Sequence, residues 1–368
     1  MQFATWMPAR VDWQPVVRRA EELGFGFVHQ ADSQMLYADP VVSLTLCATA
    51  TSRIRLGAGV TNPLTRTAPA MAASLASLNL LAPGRVFLAI GSGYTCMAAM
   101  GMRSATVAEL GDYVRVVRAL LRGEVTDYTL RGQTRPIQML NGPESLDPTF
   151  VNLAPVPIYI AAHGPRMLEL AGELADGLIL GVVRPTERYL DRTRAALQRG
   201  ADKVGRRAED IPIYLMLNMY VRAEDEAFGS DDMKRAVLGL EQSNIGVYAA
   251  ARRPQPGAVD PIGDDGIPEL YRALALRNRV LTSSPDGTPW YLTAYDGHGW
   301  RVRPELLSLV PDDLLRSRAL IGTADEIIGQ IRIWDGLGVS SVGALAQGDV
   351  ALAAEQIERF GRGVIARY

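Results

Sequence analysis

Short apolar runs alternate with longer segments of helical periodicity, and the stretch from Ile54 to Thr95 shows this alternation most clearly. Its first run, Ile54 to Gly59, consists of branched and small residues and is stopped by the polar turn TNP, as expected of a buried strand. Ala68 to Leu81 then carries large apolar residues at spacings of three and four, which predicts a helix. Val86 to Ile90 is again short and apolar. The stretch therefore predicts a strand–helix–strand unit.

The same rhythm continues along the chain and predicts eight strands. They are Gln2–Met7, Phe25–Gln30, Ile54–Gly59, Val86–Ile90, Pro157–Ala161, Gly177–Gly181, Ile211–Val221 and Val339–Ala346. A closed barrel and an open doubly wound sheet both produce this alternation. Two segments depart from it. Gly123 to Phe150 is turn-rich and predicts a small hairpin outside the sheet, and residues from about Arg222 to Arg318 form an insertion between strands seven and eight.

The insertion contains a polar and aromatic stretch with glycines, PWYLTAYDGHGW. Long insertions in compact domains are usually functional or flexible, and aromatic surface beside flexible glycines is typical of a lid. A substrate lid and an aromatic contact between subunits both fit this composition. The residues predicted to cover the substrate are Trp290, Tyr295, His298 and Trp300.

The composition narrows the class of protein. With 368 residues, 48% hydrophobic and 21% charged, the chain has an ordinary globular composition, and we expect residues 1–368 to form a single domain. A net charge of −2 gives no electrostatic basis for binding nucleic acid or an anionic membrane, so small molecules are the expected partners. Two cysteines are too few for a disulfide framework. With no charged leader or long apolar segment at the amino terminus, we expect a cytoplasmic protein.

The order of several motifs resembles that of a known superfamily. GAGVTNP is followed by a helix, by PGR and by a strand ending in GSG; PIYIAAHGPRMLELAGELADGLILG and IGTADEIIGQIRIWDGLGVSSVGALAQG come later. This order is similar to that of the luciferase-like flavin and deazaflavin oxidoreductases, and most similar to the methylenetetrahydromethanopterin reductase type. The resemblance covers most of the chain outside the insertion. It implies an α/β fold, a (β/α)8 TIM barrel with its chemistry at the carboxyl ends of the strands.

The resemblance also implies where a cofactor would bind. Gly59-Val60 matches the position of a non-prolyl cis peptide behind the flavin ring in the superfamily; a glycine that only lets the strand bend is the alternative. The helix after the loop Ala162-His163-Gly164 offers backbone N–H groups to the cofactor phosphate; a plain turn and cap is the alternative. The cofactor-binding candidates are Gly59, Val60, Thr61, Asn62, Gly91, Gly93, Ala162, His163, Gly164, Gly181 and Val182.

Asp32 and Tyr94 are the candidates for a catalytic role. Some deazaflavin relatives carry Asp-His where this chain has Asp32 followed by Ser33, and reductase-like relatives carry an acidic residue where it has Tyr94. Tyr94 could donate a proton or only stack on a ring. His29 is expected to be a satisfied structural histidine. The histidines are scattered and the carboxylates show no ligand spacing, so no metal is expected.

Three functions are compatible with these residues. The resemblance slightly favours an oxidoreductase that uses reduced coenzyme F420 for hydride transfer to or from a small organic substrate. An FMN-dependent, oxygen-using monooxygenase supplied by a separate flavin reductase is the alternative on the same scaffold. A non-catalytic flavin-binding or partner subunit is the third, because a fold does not prove a function. In each case we expect a homo-oligomer.

Overall fold

Eight parallel strands close into a barrel in the computed structural model, which describes residues 1–141, 152–181, 184–238, 307–308, 310, 312–345 and 350–368. The strands are β1 Gln2–Pro8, β2 Phe27–Ala31, β3 Arg55–Thr61, β4 Val86–Ile90, β5 Thr126–Leu130, β6 Gln133–Ile137, β7 Ile158–Ala161, β8 Gly177–Gly181, β9 Ile213–Val221, β10 Ala319–Gly322 and β11 Ser341–Leu345. The barrel order is β1, β2, β3, β4, β7, β8, β9 and β11, and β11 pairs back onto β1. This closure rules out the open doubly wound sheet.

Helices surround the barrel. They are α1 Gln14–Glu22, α2 Pro40–Ala50, α3 Ala68–Leu81, α4 Tyr94–Ala98, α5 Val107–Leu121, α6 Pro165–Leu174, α7 Glu187–Ala201, α8 Asp231–Leu238, α9 Asp312–Arg318, α10 Ala324–Gly336 and α11 Val350–Gly363. Their starts follow local sequence signals. Thr106 and Thr323 each form a reciprocal capping box with the glutamate three residues later, and Asp39 accepts two backbone hydrogen bonds at the start of α2.

The predicted strands agree with the observed ones except at a few ends. The second strand begins at Phe27 rather than Phe25 because Gly24 has a φ of 91° and the N–H of Phe25 donates to the carbonyl of Ala20, so these residues complete the turn after α1. The predicted hairpin is confirmed as the antiparallel pair β5 and β6. Strand β10, which pairs with the carboxyl-terminal half of β9, was not predicted.

Aromatic side chains fill the amino-terminal and middle parts of the barrel interior. His29 stacks on Trp6 with ring centroids 3.9 Å apart and an angle of 13° between the rings. The interior cluster consists of Ala4, Trp6, Phe27, Phe87, Ala89, Tyr159, Ile179 and Tyr214. Towards the carboxyl ends of the strands, Val60, Ala161 and Met216 pack onto this cluster and are partly exposed. The barrel therefore has a packed interior and an accessible carboxyl-terminal mouth.

Much of the insertion lies outside the described residues. Within the range 222–318, the structure describes 222–238, 307–308, 310 and 312–318. The four residues predicted to cover the substrate, Trp290, Tyr295, His298 and Trp300, are not among them, so that lid stays a prediction. Within the described part of the chain, none of the helices has the length and apolar character required to cross a membrane.

Candidate active site

Three strands meet at the floor of the mouth. The N–H of Gly91, directly after β4, donates to the carbonyl of Thr61 at the end of β3. A Cβ atom added to Gly91 would lie 3.1 Å from Cγ1 of Val60 and 3.4 Å from Cβ of Ala161, which ends β7. The loops after β3 and β7 therefore open on the same rim, as the sequence predicted. None of the side chains at these positions is larger than valine.

Gly59 and Val60 form an irregular step in β3. The peptide bond between them is cis, which confirms the prediction made at this position. The pairing of β3 with β4 shifts register between Ala58 and Thr61. A Cβ atom on Gly59 would lie 2.7 Å from Nδ1 of His29, whose ring is held by its stack on Trp6. Glycine is therefore needed at position 59 for close packing.

Asp32 and Thr61 form a buried pair at the ends of β2 and β3. The Thr61 hydroxyl donates to Oδ2 of Asp32 over 2.6 Å, and Asp32 is only 6% exposed. Burial raises the pKa of Asp32, while the Thr61 hydrogen bond and the charge of Arg66 act in the opposite direction. Arg66 is itself paired with Asp39 at 2.6 Å. Asp32 is thus a carboxyl group at the rim that holds its proton to higher pH than an ordinary aspartate.

Asn62, a candidate for cofactor binding, also has a structural role that was not predicted. Its Oδ1 atom accepts the N–H groups of Leu64 and Thr65, and its Nδ2 atom donates to the Thr65 hydroxyl. Asn62 is also fully buried. A Cβ atom on Gly93, which has a φ of 79°, would lie 2.6 Å from Cβ of Asn62. Asn62 and Gly93 therefore shape the rim through an Asx turn and a close approach.

Tyr94 begins the short helix α4, which the sequence did not predict. Its side chain packs in a small cluster with Leu36, Ala98 and Ala99. This places Tyr94 at the rim on the β4 side, next to Gly93. Its catalytic role stays a prediction.

The loop after β7 differs in one respect from the expected phosphate site. The N–H of Ala162 donates to the carbonyl of Ile179, so this donor is already engaged, and cofactor binding by Ala162 stays a prediction. Gly164 is the N-cap of α6 with Pro165 following it. Among the described residues no acceptor is recorded for the N–H groups of Gly164 and Arg166. A Cβ atom on Gly164 would contact no atom of the described residues within 4 Å.

His163 is a neutral member of this loop. Burial lowers the pKa of His163 to about 4, so it brings no positive charge to a phosphate near pH 7. Its Nδ1 atom lies 3.0 Å from the hydroxyl of Tyr189 in the first turn of α7. The sequence reasoning missed Tyr189, and an aromatic residue in the first turn of the next helix was the only signal for it.

Other candidate residues have mixed outcomes. Gly181 ends β8, and a Cβ atom there would lie 2.9 Å from Cε of Met216, a mouth residue that sequence reasoning also missed because it lies in an apolar strand. Val182 lies outside the described residues. His29 is fully buried, and burial lowers its pKa to about 3, so it is a neutral structural histidine. The expectation that it is satisfied is wrong, because both ring nitrogens are buried without a hydrogen-bond partner among the described residues. The described part of the chain contains no group of three metal-ligating side chains.

The barrel, its mouth and the order of the motifs define a family. Residues 12–341 match the luciferase-like monooxygenase family. The chain therefore belongs to that family, which the order of its motifs had already indicated.

Relatives within it include enzymes of known activity. The 5,10-methylenetetrahydromethanopterin reductase of Methanolobus tindarius is 33% identical over 196 residues, which cover 53% of this chain and 56% of the reductase. The F420-dependent glucose-6-phosphate dehydrogenase of Beutenbergia cavernae is 31% identical over 251 residues, 66% of this chain and 69% of the dehydrogenase. The chain thus matches little more than half of the reductase's length.

A solved structure shares the fold. The coenzyme F420 dependent tetrahydromethanopterin reductase from Methanopyrus kandleri superposes with a TM-score of 0.66 at 20% identity, covering 100% of this chain and 99% of that chain. At this identity the likeness concerns the fold.

Proposed function

We propose that this protein is an oxidoreductase that binds reduced coenzyme F420 at the mouth of the barrel and supports hydride transfer to or from a small organic substrate. The support comes from the site and from the relatives together. The mouth has a small-residue floor that suits a flat ring, and one relative is an F420-dependent dehydrogenase by name.

The single observation that carries the proposal is the Asp32–Thr61 pair. Hydride transfer to a carbonyl-like carbon leaves negative charge on the neighbouring atom, and a proton has to reach that atom. Asp32 is buried at the rim, and burial raises its pKa, so it can hold a proton where an exposed aspartate would have lost it. The hydroxyl of Thr61 fixes the orientation of this carboxyl group.

The remaining residues of the mouth would bind and orient the cofactor. Val60, Ala161 and Met216 offer a partly exposed apolar floor. The N–H groups at the start of α6, which have no acceptor among the described residues, suit the phosphate. When bound, the cofactor supplies a ring carbon that gives or accepts the hydride. Asp32 would then donate its proton to the substrate in one direction and accept it in the other.

Titration of the purified protein with F420 and with FMN, each followed by quenching of cofactor fluorescence, tests the proposal. Tighter binding of F420, and oxidation of reduced F420 without oxygen when substrate is added, are the expected results. Tight binding of FMN alone with substrate-dependent oxygen uptake would favour the monooxygenase alternative and its separate flavin reductase. Binding of neither cofactor would favour a non-catalytic barrel. The homo-oligomer is a further proposal, tested by the mass in solution against the 39.9 kDa of one chain.

A further inference from the structure

The hydrogen bond between His163 and Tyr189 joins two loops of the mouth. His163 lies between β7 and α6, and Tyr189 lies in the first turn of α7, which follows β8. The atoms in contact are Nδ1 of the imidazole and the phenol oxygen, 3.0 Å apart. The bond fixes the orientation of the ring of His163, the residue that precedes the N-cap of α6.

The direction of this bond follows from leaving the fewest polar groups without a partner. Burial lowers the pKa of His163 to about 4 and raises the pKa of Tyr189 to about 12, so both side chains are neutral at pH 7. A neutral imidazole carries one hydrogen. If Nδ1 carried it, both the hydroxyl hydrogen of Tyr189 and the lone pair of Nε2 would lack a partner among the described residues. Donation from Tyr189 to Nδ1 leaves a single group, the ring hydrogen on Nε2, for a ligand to satisfy.

The other ring nitrogen faces the mouth. A Cβ atom on Gly181 would lie 4.0 Å from Nε2 of His163. Gly181 ends β8, and Ile179, two residues earlier on the same face of the strand, belongs to the aromatic cluster of the barrel interior. The Cβ direction at Gly181 therefore points towards the barrel axis. Glycine at this position places no side chain of its own next to Nε2.

We propose that Tyr189 is a positioning residue that holds His163 with its hydrogen on Nε2, so that His163 donates a hydrogen bond to the phosphate group of the bound cofactor. The inference rests on the proposed function, which supplies the phosphate. Phosphate oxygens are strong acceptors, and a neutral N–H donor beside free backbone N–H groups suits them. The recognition is by hydrogen bonding, with no charge on the imidazole.

Affinities for matched ligands with and without a phosphate test this assignment. Dissociation constants are measured by fluorescence quenching for F420 and FMN, and for their phosphate-free counterparts, the deazaflavin F0 and riboflavin. The proteins are the wild type, Tyr189→Phe, His163→Ala, the double variant of these two, and His163→Gln. Tyr368→Phe is the matched control, because it also removes a tyrosine hydroxyl bond, to Asp335, while its ring contacts Phe3 near the amino end of β1.

The expected pattern separates a positioning role from a structural one. Tyr189→Phe and His163→Ala should each weaken the phosphate-bearing cofactor about tenfold and leave the phosphate-free ligand unchanged. His163→Gln, which keeps an N–H donor near the position of Nε2, should restore most of the affinity. In the His163→Ala background, Tyr189→Phe should have almost no further effect, because Tyr189 acts through His163. Nitrogen NMR of the wild type should show the hydrogen of His163 on Nε2.

Several outcomes would overturn the inference. They are an equal loss for ligands with and without phosphate, additive losses in the double variant, a hydrogen on Nδ1 in the wild type, or a loss of the same size in Tyr368→Phe. If the wild type binds F420 and one of these is seen, the inference fails and the proposed function stands. If the wild type binds neither F420 nor FMN, both fail. Circular dichroism of each variant identifies misfolding, and His163→Gln provides a second variant in that case.

Discussion

The hydroxyl of Thr61 donates a 2.6 Å hydrogen bond to Oδ2 of Asp32, and this bond links the carboxyl ends of neighbouring strands β2 and β3. Both side chains are buried. The carboxyl group therefore has a fixed orientation and an environment that disfavours its charged form. A proton donor with a fixed position is what hydride transfer requires beside the cofactor ring.

Asp32→Asn should lower turnover by about 10²-fold or more, the usual contribution of a general acid or base, with little change in cofactor affinity. The amide can still accept the Thr61 hydrogen bond, so the fold should persist. Asp210→Asn is the control, since Asp210 is exposed, pairs with Arg207 at 2.9 Å and precedes the amino end of β9, at the other end of the barrel from the mouth. Steady-state rates with reduced F420 and a competent substrate give the comparison. Equal turnover in Asp32→Asn and wild type would remove Asp32 from the chemistry.

Thr61→Val should move the pH profile of turnover. The hydrogen bond from Thr61 lowers the pKa of Asp32 by stabilising its charged form. Without the hydroxyl, the pKa rises further, so the protonated form persists to higher pH. In the direction that needs a proton donor, the descending limb of the profile should therefore shift to higher pH. A shift to lower pH, or none, would contradict the pairing.

Gly164→Glu should weaken cofactor binding by about tenfold or more, because a carboxylate would stand beside the phosphate site. Gly164→Ala provides the control: the φ of Gly164 is −76°, and a Cβ atom there contacts nothing within 4 Å. Its affinity should stay close to that of the wild type. Fluorescence titration measures both variants. Unchanged affinity in Gly164→Glu would place the phosphate elsewhere.

Replacement of His29 should make stability less sensitive to acid. Burial lowers the pKa of His29 from its ordinary value of 6.5 to about 3. Between these values the unfolded chain binds a proton that the folded chain does not, so the free energy of unfolding falls as the pH falls, by at most about 1.4 kcal/mol per pH unit. His29→Leu should reduce this slope between pH 6.5 and 4.

Urea unfolding at several pH values measures the slope. The packing change in His29→Leu lowers stability at pH 7 as well, so the slope carries the prediction rather than the value at one pH. His163→Gln should reduce the slope in the same direction, because the pKa of His163 is also lowered, to about 4. A slope in His29→Leu equal to that of the wild type would show that His29 is protonated, or accessible, in the folded protein.

The alternation of short apolar runs and amphipathic helices determined the strands, because a strand covered by helices has to be apolar and a helix on the barrel has to bury one stripe. The local signals TNP after β3, GSG after β4 and HGP after β7 likewise placed three loops of the mouth. The alternation could not decide whether the sheet closes into a barrel, because a barrel and an open sheet bury the same strand faces. The pairing of β11 with β1 decides it.

Tertiary structure alone decided which side chains meet. Asp32 and Thr61, or His163 and Tyr189, are far apart in sequence, and no local pattern encodes their hydrogen bonds. The same holds for Ala162. Its position in a loop suggested an available N–H group, but this group donates to the carbonyl of Ile179 on the neighbouring strand β8. Backbone and side-chain partners are set by the register of neighbouring strands, and the pKa values of Asp32 and His163 follow from burial that only the closed barrel creates.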